Sequence, residues 1–266
     1  MPVIVGTSGN DSLSGGLLAD TLLGLAGDDT LVSSSGPDFL IGAQGNDLLF
    51  GGAGPDHLNG GIGNDTLNGG DNKDVLVGWY GDDVLDGGQA GDDLDGGEGN
   101  DTLSGSTGFD TLRGGEGDDS LDGGAGKDHL FGDNGNDYMN GRTYEDRMDG
   151  GGGNDTLIGG NHNDTLFGAT GRDLLMGGWG DDELTGGRLG DVFQFDAGDG
   201  NDVIRDYGFG NDKIDVVAFA FASVADVLAT GQQVGEDVLF QLDAETSVTI
   251  LGQDLTTFNA TDFILA

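Results

Sequence analysis

Cysteine is absent from the 266 residues, proline occurs three times, and nine lysines and arginines stand against 49 aspartates and glutamates. Without cysteine no disulfide can staple the chain, so stability outside a cell would have to come from another source, bound metal being the obvious one. No run of about 20 apolar residues is present to form a membrane-spanning helix. The opening residues, Met1 to Gly6 (MPVIVG), lack the basic region and apolar run of a secretory signal, so any export is expected to use another address. The shortage of basic side chains leaves a formal charge of −40. A compact state carrying that charge repels itself, which argues against nucleic acid and anionic membranes as partners and favours divalent cations.

What the chain does contain is 57 glycines and a strict repeat. From Gly6 to Gln194 it reads in steps of nine without insertion or deletion, giving 21 units of the form G-G-x-G-x-D-x-U-x, with U a large apolar residue. The first position is Gly everywhere except Ser33, and the sixth is Asp in every unit. The eighth is Leu except at Met139, Met148 and Phe193. Around it, residues such as Thr66-Leu67-Asn68 alternate outward, inward, outward and predict a short strand with Leu in the core. The six residues before, such as Gly60 to Asp65 (GGIGND), are expected to turn the chain, glycine supplying positive φ without steric cost. Two units then make an 18-residue coil, and coils stack as parallel strands. The predicted fold class is all-β, a parallel β-roll (a β-solenoid with two strands per coil). A lead-in over 1–5, the roll over 6–194 and a C-terminal β-rich cap over 195–266 complete the organisation.

This nonapeptide resembles the RTX family of hemolysin-type calcium-binding repeats over about seventy per cent of the chain. In that family the aspartate carboxylate and main-chain carbonyls of the turn bind Ca²⁺, and the resemblance implies the same here. The chemistry agrees, because calcium takes six to eight hard oxygen ligands in flexible geometry, which stacked acidic turns supply.

Odd and even units fall on opposite edges of such a roll, and their turns differ. In the odd units the fourth position is Gly except at Leu189, and the fifth is mostly Asn or Asp; in the even units the fourth becomes Leu18, Asn72, Ala90, Tyr144 and His162. The expectation is one strong calcium ladder through Asp11, Asp29, Asp47, Asp65, Asp83, Asp101, Asp119, Asp137, Asp155, Asp173 and Asp191. A partial ladder is expected on the even edge, with its best turns at Asp56, Asp110, Asp128 and Asp182. The alternative is that the even departures are neutral, since carbonyl ligands tolerate a change of side chain. Eleven odd turns leave ten gaps, so ten or more ions are expected. With a site constant of roughly 10⁻⁴ M, calcium tenfold above it contributes about 1.4 kcal/mol per site, or roughly 14 kcal/mol over ten sites. That equals the stability of a typical domain and vanishes at cytosolic calcium.

Beyond Gln194 the period ends, and eight of the thirteen phenylalanines lie from Phe193 onward. Aromatic bulk at the end of a solenoid reads as a cap. The run Phe193 to Val216 is similar to the segment that closes RTX rolls in secreted proteases and lipases, and Asp199, Asn201 and Asp202 are candidates for a last ion site. A helix is expected at Ser223 to Ala229, and a hairpin from Val238–Leu242 and Ser247–Leu251 around Asp243 to Thr246. No basic residue follows Lys213, and the chain finishes Asp262-Phe263-Ile264-Leu265-Ala266. RTX proteins using type I export carry an uncleaved signal of this acidic-then-apolar kind; a final cap strand is the compatible plain reading.

His57, His129 and His162 occupy outward or turn positions and read as surface residues. No G-x-S-x-G, H-E-x-x-H or P-loop motif occurs, and the many paired carboxylates read as metal ligands, so no enzyme is expected. The seventh positions are too mixed for an ice-binding threonine ladder. Trp79, Tyr80, Phe109, Tyr144 and Trp179 either stack on sugar rings or pack on neighbouring coils. The expectation is a secreted, extracellular calcium-binding protein with a structural or surface, matrix or host-interaction role. The alternative is a roll module of a larger secreted enzyme, a protease, lipase or alginate epimerase; with Met1 only five residues before the first repeat, the former is preferred. Expected partners are calcium ions, the type I export machinery and, as candidates, extracellular polysaccharide or a cell surface.

Overall fold

The computed structural model describes residues 2–208 and 210–265; Met1 of the lead-in, Phe209 of the closing run and the terminal Ala266 lie outside the described residues. Residues 1–138 and 139–266 form two compact units. Both are β structures built mainly from parallel strands. In the first unit one sheet contains Val3–Val5, Thr21–Ala26, Phe39–Gln44, His57–Ile62 and every second strand onward to His129–Asn134. The other contains Ser12–Ser14, Thr30–Val32, Leu48–Ala53, Thr66–Asp71 and their successors to Ser120–Gly126. Register advances by one coil at each step: Leu49 pairs with Leu67, Leu67 with Leu85 and Leu85 with Leu103. Even-unit leucines fill one sheet and odd-unit leucines the other, as the two-unit coil requires.

The strands are longer than the sequence predicts. Thr66–Asp71 is one six-residue strand covering positions seven to nine of one unit and one to three of the next, which leaves only three residues for the turn. Its burial alternates, with Leu67 and Gly69 inside and Thr66 outside, and Asp65 just before it also faces in. Positions six, eight and one thus share a single inward face at the two-residue period of a strand. The repeat reads physically as D-x-U-x-G, a continuous inward stripe.

The glycines divide into two kinds. At the second and fourth positions the backbone takes positive φ, 107° at Gly70 and 132° at Gly63. The same conformation persists where glycine is replaced, as at Leu25, Trp79, Ala90, Tyr144, His162 and Leu189. Register with neighbouring coils imposes that geometry against a local cost of about 1–3 kcal/mol each. First-position glycines such as Gly51, Gly60 and Gly69 show no positive φ, so their requirement has another origin, described below.

The core is one column per sheet. Every eighth-position residue from Leu22 to Phe193 is at most 1 % exposed. Fully burying such a side chain contributes about 1.5–3 kcal/mol.

The second unit continues the parallel pattern through Thr165–Thr170, Glu183–Thr185 and Asn201–Ile204, and on the other side through Leu174–Trp179, Val192–Gln194, Lys213–Asp215 and Phe263–Ile264. The pattern then changes hand. Ser247–Ile250 pairs in parallel with Asn201–Ile204 and antiparallel with Asp237–Gln241, forming the expected hairpin, and Gly231–Val234 adds a final antiparallel strand. The expected helix is present as Val224–Leu228, with the Ser223 side chain accepting from the Asp226 amide. Tyr207, Phe240, Phe258 and Phe263 are buried against one another, with ring centroids 5.3–5.5 Å apart in three of the pairs. The Tyr207 hydroxyl donates to the Asp212 carbonyl at 3.1 Å. These four rings form an aromatic core for the C-terminal segment.

Candidate functional site

Within each unit the sixth-position aspartates stack in two columns, one along each edge. Within a column the contact is repeated: the amide N–H of each aspartate donates to Oδ1 of the aspartate one coil further on. On the odd edge Asp47 donates to Asp65 at 2.7 Å, Asp65 to Asp83 at 2.7 Å and Asp83 to Asp101 at 2.7 Å. On the even edge Asp56 donates to Asp74 and Asp74 to Asp92, both at 2.7 Å. In the second unit the columns continue past the last repeat, Asp182 donating to Asp202 at 3.0 Å and Asp191 to Asp212 at 3.1 Å.

The second carboxylate oxygen is the feature with chemical consequence. Oδ2 of Asp29, Asp47, Asp65, Asp83, Asp101, Asp119, Asp173 and Asp191 on the odd edge is buried and has no hydrogen-bond partner. The same holds for Asp56, Asp74, Asp92, Asp110, Asp164, Asp182 and Asp202 on the even edge. Asp128, Asp137 and Asp155 are buried in the same columns, accepting from Asp110, Asp119 and, in the case of Asp155, donating to Asp173, each at 2.9 Å. Asp11, at the start, differs: it is half-buried, and the Thr7 amide and hydroxyl both donate to its Oδ2, at 2.5 and 2.9 Å.

Burial of an unpaired carboxylate disfavours its charged form. Desolvation pushes Asp65, Asp83 and Asp119 up to about 7, and Asp56 and Asp101 to about 6. The amide bond from the preceding coil opposes this, and neighbouring aspartates in the column add to it. In the second unit Asp164 rises to about 9 and Asp202 to about 8, again chiefly through burial.

Beside Oδ2 of repeat aspartates such as Asp29, Asp56, Asp74, Asp83 and Asp110 lies a space that only a first-position glycine leaves open. A Cβ on Gly51 would stand 2.6 Å from Asp56 Oδ2 and 2.7 Å from the Gly69 carbonyl oxygen of the next coil. Gly105 repeats the arrangement with Asp110 Oδ2 at 2.5 Å and the Gly123 carbonyl at 2.6 Å, and Gly24, Gly69 and Gly78 meet the corresponding pairs. The first glycine is therefore required by space, since its side chain would occupy a cradle where a carboxylate oxygen and a main-chain oxygen converge. Among the described residues no three His, Asp or Glu side chains form a metal-holding group, so further ligands would be main-chain carbonyls. Hard oxygens of this mixed kind suit calcium, and the sixth-position carboxylates with the first-position carbonyls are the groups that would hold it.

The two edges present the same carboxylate geometry, including at Asp74, Asp92 and Asp164, which are not among the best even turns by sequence. Their common signal was the sixth-position aspartate itself. A different property separates the edges. On the odd edge fifth-position side chains form a second ladder of opposite direction, Asn46 Oδ1 accepting from the Asn64 amide at 2.8 Å, Asn64 Oδ1 from Asp82 at 3.1 Å and Asp82 Oδ1 from Asn100 at 2.9 Å. On the even edge this ladder is found at Asn163, Asp181 and Asn201, where the links are 3.0 Å. Asn201 and Asp202 therefore extend the even-edge ladders, while Asp199 Oδ2 accepts from the Asp196 amide. Of the histidines, His57 stacks on Phe39 at 4.9 Å and His162 on Tyr144 at 5.3 Å.

The RTX calcium-binding nonapeptide repeat (four copies) matches residues 5–40, 41–76, 59–94, 68–103, 95–130, 104–139, 131–161, 140–175 and 158–193. No curated protein matches the chain. Among solved structures, it is similar to the AlgE6R3 subunit of the Azotobacter vinelandii mannuronan C5-epimerase, at 25 % identity and a TM-score of 0.37, over 45 % of this chain and 77 % of that one. It is also similar to the extracellular lipase LipA of Serratia marcescens, at 19 % identity and a TM-score of 0.32, over 73 % of this chain and 40 % of that one. On the repeat match, which runs from residue 5 to residue 193, the chain belongs to the family of RTX calcium-binding nonapeptide repeat proteins.

Proposed function

We propose that the chain is a secreted protein without a catalytic site, whose roll is disordered at cytosolic calcium and folds on meeting the ion outside the cell. There it serves as a structural or surface-interaction element. The observation that supports this reading is the column of buried aspartates whose Oδ2 atoms lack a donor beside glycine-lined cradles. Ionised, these groups oppose folding; a divalent cation in the cradle reverses the sign of their contribution. A chain of charge −40 whose folding depends on such ions stays extended where calcium is scarce, which suits passage through an export channel. The acidic-then-apolar end, Asp262 to Leu265, fits a type I export signal carried in the cap.

The test is calcium titration of the full chain from excess chelator, followed by far-UV circular dichroism at pH 7.5. A cooperative gain of β structure near 10⁻⁴ M calcium is expected, and full β structure in chelator would overturn the reading. Deleting the last 50 or so residues should abolish export from a host carrying type I machinery; undiminished export would refute that part.

A further inference from the structure

Ser33 is the one first-position residue in 21 units that is not glycine, and it sits inside the even-edge stack. Its side chain is buried, 4 % exposed, and its hydroxyl donates to Asp38 Oδ2. That oxygen is the counterpart of the ones left without a partner at Asp56, Asp74, Asp92 and Asp110 further along the same edge. The hydroxyl also faces the coil before, where a Cβ on Gly15 would stand 3.1 Å from Ser33 Oγ and 2.9 Å from Asp20 Oδ2. Asp20 Oδ2 in turn accepts from the Gly16 amide at 2.5 Å. At the corresponding place beside Gly51 or Gly105 the neighbouring coil offers a main-chain carbonyl oxygen.

We propose that Ser33 takes the place of a calcium ion: its side chain fills the cradle of Asp38 and its hydroxyl satisfies the carboxylate there, so this position of the even-edge ladder binds no cation. A neutral hydrogen-bond donor replaces a divalent cation, and the affected coil holds its carboxylate without metal. The Ser33 Cβ occupies the space and its hydroxyl supplies the hydrogen bond, so one residue meets both needs. The inference rests on the calcium reading of the other cradles.

The test counts bound calcium per chain by equilibrium dialysis of the full-length protein against calcium about tenfold above the site constant of roughly 10⁻⁴ M, the excess inside the bag being read by plasma mass spectrometry and folding checked by circular dichroism. Ser33→Gly empties the cradle and is expected to raise the count by one, whereas Ser33→Ala, which keeps the Cβ, is expected to leave it unchanged. Asp56→Asn should lower the count by one and Asp38→Asn should not change it, a comparison that stands even where Ser33→Gly folds poorly. An unchanged count in Ser33→Gly, or a loss of one ion in Asp38→Asn, would overturn the role of Ser33. No loss in Asp56→Asn would instead overturn the calcium reading of the cradles.

Discussion

The amide of Asp65 donates to Oδ1 of Asp83, eighteen residues on, at 2.7 Å, while Oδ2 of Asp83 is buried with no donor in reach. One carboxylate thus does two jobs: one oxygen fixes the register of adjacent coils, and the other is presented to a cation. Without calcium the register bonds alone are expected to be too weak to hold the stack against repulsion between the uncompensated carboxylates. Chelation at pH 7.5 should convert the folded roll to a largely disordered chain, reversibly, as read by hydrodynamic radius; an unchanged radius would contradict it.

Acid should partly replace calcium. The metal-free folded pKa values of Asp65, Asp83 and Asp119, near 7, lie above the ordinary carboxylate value of 3.8 because burial disfavours the charge. Protons are bound more tightly in the folded state, so this contribution to stability is fully present below about pH 4 and is lost as pH rises through 6 to 7. In chelator, ordered structure by circular dichroism is expected to be greater at pH 5 than at pH 8. With calcium the order reverses, and the calcium midpoint should rise on acidification because proton and ion compete for the same oxygen.

Filling a cradle should cost an ion. In Gly51→Ala the new methyl meets Asp56 Oδ2 and the Gly69 carbonyl, so the variant should bind one calcium fewer. It should lose about 1–3 kcal/mol from overpacking in addition to the site's own contribution. Gly198→Ala, at a positive-φ turn with open space around it, should keep every ion and lose only about 1 kcal/mol, which calcium-saturated thermal melts and ion counts separate.

The odd-edge side-chain ladder should be measurable without reference to metal. Asn64→Ala removes the acceptor of the Asp82 amide, and a loss of about 0.5–1.5 kcal/mol in calcium-saturated urea unfolding is expected. Phe109, at the same repeat position on the even edge, is 71 % exposed, and Phe109→Ala should change stability by less than about 0.5 kcal/mol. Equal losses in the two variants would show that the edges do not differ in this way.

Much of this molecule is legible in its sequence. Nine-residue periodicity with Asp at six and a large apolar residue at eight already gives the coil, the parallel sheets and the leucine columns, because inward-outward alternation is a property of any strand. The aromatic tail beyond Phe193, the hairpin and the short helix were likewise predicted from local pattern and are found near where they were expected. Turn composition pointed less surely. Asn72, Ala90 and Tyr144 suggested a degraded even edge, yet their backbones take the same positive φ as glycine, and Asp74 and Asp92 lie as deep as their odd counterparts.

By itself, then, the sequence determined the repeat, the handover between sheets every nine residues and the inward-facing eighth-position residues. Only the tertiary structure decided that the strands run six residues, that the first glycine is required by space rather than by φ, and that Asp38 alone in the even column between Asp38 and Asp110 has a side-chain donor, Ser33. The strand length and the main-chain oxygen of each cradle depend on coils eighteen residues apart, and the contacts of the first position with the sixth depend on the depth of a single carboxylate oxygen. A pattern of neighbours along the chain carries no information about either until the coils are stacked.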